Sequence, residues 1–185
     1  MDKRGELKRL SSEINNCRRC QLFENATQAV AGEGNQKARV FFLGEAPGKN
    51  EDLLGRPFVG RAGKFLDELL RSINLPRKKV FITGAVKHRP PKNRMPRRSE
   101  ILACRPWLDK QLEIINPKII VCLGKVGLAK FFPKATISKI HGRGFLNSGK
   151  IVFATYHPAA GLRSTRVRKI LFEDFKKLKK LLTKN

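Results

Sequence analysis

The sequence is short of acidic residues. Its 185 residues include 15 Asp and Glu against 40 Lys and Arg, so the formal net charge is +25 at pH 7. This is far more positive charge than solubility requires. Heat-adapted surfaces are also rich in Lys and Arg, but they usually balance them with Glu. Because the basic residues are spread through predicted loops and helices, we expect the folded surface to bind a polyanion, and nucleic acid in particular.

Long apolar runs, internal repeats and linkers are also missing. No apolar stretch approaches the roughly 20 residues that span a bilayer, and the charged start MDKRGELKRL is not followed by the apolar core of a signal peptide. We therefore expect a cytoplasmic monomer that does not enter a membrane. The length predicts a single domain over residues 1–185. In a reducing compartment, the four cysteines favour a metal site, or no special role, over disulfides.

Three short segments are continuously apolar and contain glycine at or near their ends: RVFFLG (39–44), KVFITGAV (79–86) and KIIVCLG (118–124). Such runs are typical of strands buried on both faces of a parallel sheet. The segments between them, and residues 3–14, have helical periodicity, while ISKIHGRGFLNSGKIVFATYHP predicts a hairpin with its turn at NSG before a closing helix. Together these patterns predict an α/β fold with helices on both faces of a parallel sheet.

The most unusual residues follow these strands. Ligands of open parallel sheets bind beyond the carboxyl ends of the strands, which here carry GEAPGKNED, TGAVKHRPP, LGKVG and TYHPAA. The first loop offers two carboxylates, Glu45 and Glu51, and leads into the glycine-rich helix start PFVGRAG, which suits an anion. Phe58 is a candidate platform for stacking a base. His157, fixed by the next proline, is a candidate donor to a developing oxyanion.

GEAPGKNEDLLGRPFVGRAG, FITGAVKHRPP, HPAA and the early CxxC pair resemble the family 4 uracil-DNA glycosylases, the iron-sulfur branch of the uracil-DNA glycosylase superfamily. The resemblance implies a three-layer α/β/α fold around a four-stranded, mainly parallel sheet. It implies a DNA repair enzyme that hydrolyses the N-glycosidic bond of a flipped uracil and leaves an abasic site.

The resemblance also implies roles for individual residues. Glu51, or alternatively Glu45, would position the attacking water, and His157 would donate to uracil O2. The base would be bound by Gly44, Glu45, Phe58, Gly84 and His157. DNA would be contacted by Arg61, Lys87, Arg89, Leu162 and Arg163. Of these residues, Leu162 or Arg163 would fill the hole left by the flipped base.

At Gly84 the sequence departs from the family pattern, which has an Asn whose amide pairs with the uracil edge. Loss of such an amide can cost a few kcal/mol of discrimination. We therefore expect weaker uracil binding, relaxed selectivity, or acceptance of a larger deaminated base. A catalytically weak protein that binds damaged or abasic DNA is the alternative. A third route, in which His141 attacks the sugar covalently, is also open.

The second departure concerns the metal. Family members hold a 4Fe-4S cluster with four cysteines, three of which correspond to Cys17, Cys20 and Cys104, while the remaining ligand falls on His88. Imidazole ligates iron in Rieske centres, so these four residues are predicted to hold a cluster. The same set would also suit zinc. The remaining alternatives are no metal, or a site without a third protein ligand. Cys122 is not expected to replace the lost ligand, because it lies in an apolar strand and is typical of a small buried hydrophobe.

Overall fold

The computed structural model describes residues 2–184. Its helices are α1 (Lys3–Asn15), α2 (Lys49–Leu54), α3 (Arg61–Ser72), α4 (Arg98–Ile115), α5 (Lys125–Ala129), α6 (Ile137–Ile140), α7 (Pro158–Gly161) and α8 (Thr165–Lys184). Its strands are β1 (Glu33–Gly34), β2 (Val40–Gly44), β3 (Phe81–Gly84), β4 (Ile119–Leu123), β5 (Arg143–Asn147) and β6 (Lys150–Thr155). The predicted strands at 39–44, 79–86 and 118–124 correspond to β2, β3 and β4, and the predicted helix at 3–14 corresponds to α1.

The strands form one sheet in the order β1-β3-β2-β4-β6-β5. The four central strands run parallel, as predicted, and the two edge strands pair antiparallel with their neighbours. The predicted count of four strands is too low, since the sheet has six among the described residues. Strand β1 has only two residues, Glu33 and Gly34, so hydrophobic patterning could not reveal it. Strand β5 belongs to the predicted hairpin, which turns at residues 148–149.

Alternate side chains of the central strands enter two separate cores. Phe42 and Val121 pack with α3 and α8 on one face, and Phe41 and Cys122 pack with α4 and α5 on the other. Both faces are covered, which explains why these strands are continuously apolar. The three-layer α/β/α prediction is confirmed. Within residues 2–184, no helix has the length and apolar character needed to cross a membrane.

Candidate active site

The loops that follow β2, β3 and β6 surround a cavity of about 470 Å³ at the carboxyl edge of the sheet. Gly44 lies opposite Gly84 in the parallel register, so the chain leaves β2 and β3 at the same level. The lining residues include five that the sequence predicted, namely Glu45, Glu51, Phe58, His157 and Arg163. These residues are far apart in the chain, and the shared strand ends bring them together.

One wall of the cavity is made by two rings. The centroids of Phe58 and His157 lie 5.5 Å apart, with 31° between the ring planes. The Phe58 ring rests directly on Gly44, where a Cβ atom would lie only 2.7 Å from two ring carbons. Glycine at the end of β2 therefore makes room for the aromatic platform. Phe58 itself has φ of 52°, a left-handed backbone conformation that is unusual for a bulky residue.

His157 is a neutral hydrogen-bond donor in this site. Its Nδ1 accepts the backbone N–H of Ala159 at 3.2 Å, so the ring hydrogen belongs on Nε2. Burial, assisted by the positive charge of Arg163, lowers the pKa of His157 to about 4. At neutral pH the ring therefore offers an uncharged N–H to the cavity.

The two carboxylates in the cavity have different environments. Glu51 accepts three backbone N–H groups: Gly48 at 3.1 Å, Val59 at 2.9 Å and Gly60 at 2.7 Å. It therefore ties the loop after β2 to the start of α3. The Glu45 side chain has no hydrogen bond to another group in residues 2–184. Burial raises the pKa of Glu45, and the positive charge of Lys125 opposes that rise only in part.

Gly84, at the end of β3, has no side chain and is not among the residues that line the cavity. A Cβ atom there would lie 3.0 Å from the carbonyl oxygen of Val86 and 3.5 Å from both the Cα of Ala46 and the carbonyl oxygen of Glu45. The Gly84 carbonyl oxygen accepts a hydrogen bond from the Lys87 ammonium at 2.9 Å. The strand end is thus closely packed, but a small side chain could be fitted with shifts of a few tenths of an ångström.

The prediction that Lys87 contacts DNA is wrong. Its side chain is fully buried, and its ammonium donates to Thr83, to Gln111 and to the carbonyl of Gly84. Desolvation lowers its pKa to about 7. Although Lys87 follows β3 in a basic segment, its side chain turns back against the end of that strand and towards α4.

The other predicted DNA contacts differ in position and exposure: Arg163 lines the cavity, and Arg61 and Arg89 are each next to a lining residue, Ala62 and Pro90. Arg61 and Arg163 are exposed, whereas Arg89 is half-buried and donates from Nε to Oδ1 of Asn93 at 2.7 Å. Leu162 is half-buried against the core. Of the two wedge candidates, Arg163 therefore lines the cavity and Leu162 packs inward.

The segment that carries the wedge candidates is held tightly by the core. A Cβ atom at Gly161 would lie 2.5 Å from the Phe65 ring and 2.8 Å from Leu171, so α7 packs directly on α3 and α8.

Sequence reasoning missed two polar residues of the cavity, Asn93 and Arg94. Both lie in the basic loop after β3, whose position at the carboxyl edge was the available signal. His141, the candidate for covalent attack, is not among the lining residues. Its Nδ1 instead lies 3.0 Å from a carboxylate oxygen of the buried Asp174.

Comparison with known proteins agrees with this fold. Residues 31–182 match the model of the uracil DNA glycosylase superfamily. A type-4 uracil-DNA glycosylase of Sulfurisphaera tokodaii is 49% identical, over 95% of this chain and 84% of that protein. The type-4 enzyme of Thermotoga maritima is 45% identical, over 98% of this chain and 97% of its own. A type-5 uracil-DNA glycosylase of Pyrobaculum aerophilum is 31% identical, over 80% and 73% of the two chains.

The chain belongs to the type-4 uracil-DNA glycosylases. In this type-4 glycosylase, the four predicted metal ligands lie in one region of the fold. Cys17, Cys104 and His88 are buried, and Cys20 is half-buried. The Cys20 and Cys104 side chains pack in one small apolar cluster. His88 and Cys17 line a common cavity of about 420 Å³.

The donor atoms of this type-4 glycosylase are close but not gathered into a coordination sphere. Within residues 2–184, no three His, Cys, Asp or Glu side chains converge at metal-binding distances. Cys17 Sγ accepts the indole N–H of Trp107 at 3.1 Å, and Cys104 Sγ accepts the backbone N–H of Lys87 at 3.4 Å. Burial raises the pKa of Cys104 to about 11, and the nearby thiols of Cys20 and Cys17 add to this rise against the influence of Lys87.

Proposed function

We propose that this chain is a monofunctional DNA repair glycosylase that hydrolyses the N-glycosidic bond of uracil in DNA and leaves an abasic site. The relatives at 45% to 49% identity carry the name of this activity. One observation supports the chemistry most strongly: an aromatic platform, a neutral imidazole donor and a carboxylate without a protein partner line the same cavity. We further propose that residues 1–185 act as one cytoplasmic domain and as a monomer.

The base would be held by stacking. A flipped base must leave its neighbours in the duplex, and an aromatic face replaces part of that lost stacking. Phe58 provides the face, and its contacts with Gly44 and His157 fix the ring position. Arg163, which lines the cavity, and Arg61 and Arg89, which are next to lining residues, would bind the phosphates of the strand that enters it.

His157 would stabilise the leaving base. As the bond between C1′ and the base nitrogen breaks, its electron pair moves into the uracil ring and onto O2. The Nε2–H of neutral His157 would donate to that oxygen. A neutral donor is effective here because no charge has to be desolvated when the base fills the cavity.

Glu45 is the better candidate for the carboxylate that orients water. The attacking water adds to C1′ and gives up a proton, for which a nearby base is needed. Glu45 has both oxygens available, whereas Glu51 already accepts three backbone N–H groups. We therefore assign Glu51 to positioning the loop after β2, and Glu45 to the water.

Base selectivity would be relaxed at Gly84. With no side-chain amide at the end of β3, the edge of the base lacks one hydrogen-bonding partner, so uracil would lose part of its advantage over other deaminated bases. Excision of hypoxanthine or xanthine would then accompany excision of uracil. The same feature favours the second candidate function, a catalytically weak protein that binds damaged or abasic DNA.

A base-excision panel tests these functions directly. Oligonucleotides containing uracil, hypoxanthine or xanthine, in single and double strands, are incubated with enzyme in excess and cleaved with alkali at abasic sites. We expect strand breaks with uracil and weaker breaks with at least one purine. Tight binding without any cleavage would instead support the damage-binding protein, and neither binding nor cleavage would reject both.

Cys17, Cys20, His88 and Cys104 would hold a 4Fe-4S cluster, with zinc as the alternative. The donor chemistry fits, because three mutually close thiols and an imidazole occupy one buried region of the fold. The bound group would be structural, joining the segment after α1 to the basic loop after β3. Glycosidic hydrolysis needs no electron transfer.

Metal analysis and an absorbance spectrum of anaerobically purified protein distinguish the two groups. We expect iron, sulfide and a broad absorbance in the blue. Stoichiometric zinc in a colourless protein would reject the cluster. His88→Cys should retain the iron, and His88→Ala should lose it, whereas equal iron in both variants and the wild type would remove His88 from the ligand set.

A further inference from the structure

The stacking platform rests on a strained backbone. Phe58 has φ of 52°, where the Cβ of an L-residue is crowded by its own carbonyl group. Its carbonyl oxygen also lies so close to α3 that a Cβ atom at Gly63 would be 1.9 Å from it. Such a conformation persists only when the surrounding structure holds it in place. The groups that hold Phe58 therefore determine where the base can stack.

Arg77, in the turn before β3, holds this segment from behind. Its guanidinium donates to the carbonyl oxygens of both Pro57 and Phe58, the latter at 3.1 Å. These carbonyl groups belong to the two peptide bonds that flank the Cα atom of the strained residue. The planar guanidinium can serve both at once, because its donors are arranged in a rigid fork.

Two carboxylates fix Arg77 in turn. Glu33 accepts from Nε at 3.2 Å and from one terminal nitrogen at 3.0 Å, and Asp67 accepts from the other at 2.9 Å. Glu33 also accepts a hydrogen bond from Nε of Arg56 at 2.7 Å. Burial favours a raised pKa for Glu33, but the hydrogen bonds from the two arginines outweigh it and leave the pKa lowered. Glu33 thus remains charged and keeps the network intact.

We propose that Arg77 is a positioning residue of this enzyme, acting through Phe58 by clamping the Pro57 and Phe58 carbonyls so that the ring faces the cavity. The proposal rests on the proposed function, because it assumes that Phe58 stacks the base. Arg77 does not line the cavity, and none of its hydrogen bonds is to a residue that does, other than Phe58. Its most direct effect on the reaction should therefore be through that ring, since the adjoining Val59 N–H is held separately by Glu51.

The chain offers a matched control in Arg56, which also donates to the Glu33 carboxylate but makes no hydrogen bond to the Pro57 or Phe58 carbonyl. Arg77→Lys and Arg56→Lys are compared by single-turnover rate and by the DNA concentration that half-saturates it, on a single-stranded uracil oligonucleotide. The ratio of these two quantities stands for kcat/KM. Residues in contact commonly affect each other's contribution by roughly tenfold, so we expect Arg77→Lys to lower this ratio on the order of tenfold. Arg56→Lys should lower it by about twofold or less.

A double-mutant cycle separates positioning from general destabilisation. In a Phe58→Leu background, the Arg77→Lys change should cost about twofold or less, since the ring it positions is absent. A full tenfold loss in that background, or a wild-type rate for Arg77→Lys alone, would overturn the proposal. Asp67→Asn releases one side of the guanidinium and takes the place of Arg77→Lys if that variant does not fold.

The wild type in the same assay reports on the proposed function independently. If it fails to excise uracil, the proposed function fails, and the cycle is then read from the affinity for the uracil oligonucleotide, measured by fluorescence anisotropy. Arg77→Lys should still weaken that affinity only when Phe58 is present. Equal weakening in both backgrounds would overturn the positioning role by this route as well.

Discussion

Exchanging each cavity carboxylate for its amide should separate catalysis from loop stability. Glu45→Gln removes a charge that has no protein hydrogen bond, so the free energy of unfolding should change by no more than about 1 kcal/mol. If Glu45 orients the water, the single-turnover rate should fall by roughly 10²-fold to 10⁴-fold, the range of general-base catalysis. Activity would therefore be lost from a protein that remains as stable as the wild type.

Glu51→Gln should have a different outcome. A glutamine can retain the Val59 and Gly60 bonds on its carbonyl oxygen, but its amide nitrogen then meets the N–H of Gly48. Hydrogen bonds to a charged group contribute about 1.5 to 3 kcal/mol each, and neutral ones about half of that. One bond lost and two halved would cost about 3 to 6 kcal/mol if fully buried. Because solvent screens this half-buried site, we discount that by about half, which leaves about 2 to 3 kcal/mol, or roughly 5 to 10 °C in Tm for a chain of this size.

Thermal unfolding and single-turnover excision of a uracil oligonucleotide, measured on the same preparations, check both expectations. The loss of activity in Glu51→Gln should be accompanied by the drop in Tm, and Glu45→Gln should lose activity alone. The assignment is refuted if Glu45→Gln keeps within tenfold of the wild-type rate. It is also refuted if Glu51→Gln melts like the wild type and is the less active of the two.

Three further outcomes are expected. The excision rate should fall with decreasing pH, with a midpoint above the ordinary glutamate pKa of about 4.3, because burial raises the pKa of Glu45 and only its ionised form accepts a proton. The pKa of His157 is about 4, so that ring stays neutral through this range. A fall in rate at the same pH in Glu45→Gln would contradict this. Arg163→Ala should reduce the salt slope of DNA affinity by about 1, whereas Lys87→Met should leave it unchanged. Gly84→Asn should raise the preference for uracil over hypoxanthine by roughly tenfold or more, with Gly84→Ala as the control that tests the packing alone.

The sequence predicted what depends on local pattern. Continuous apolar runs identified the central strands, and the loops at their ends contained the cavity residues, because parallel strands end on one edge of the sheet. Hydrophobic pattern could not reveal β1, which has two residues. Nor could it reveal that the Glu51 carboxylate is already hydrogen-bonded, since its partners are backbone N–H groups up to nine residues away.

Two basic residues show the same limit. Lys87 belongs to a strongly basic segment, yet its side chain turns into the core and satisfies three acceptors. Arg77 looks like one of many surface arginines, and its role depends on carboxylates at Glu33 and Asp67 that only the fold brings near. Charge in a sequence predicts that a surface is basic, but it does not say which cations are on that surface.

The packing around Gly161 has a consequence for how this loop can be exchanged between proteins. Phe65 and Leu171 occupy the space that any side chain at this position would need. A DNA-facing loop with a larger residue there could be grafted onto this chain only together with smaller partners on α3 and α8. Exposed Arg163 can therefore be replaced without disturbing the core, whereas a change at Gly161 or Leu162 also requires changes in the residues packed against them.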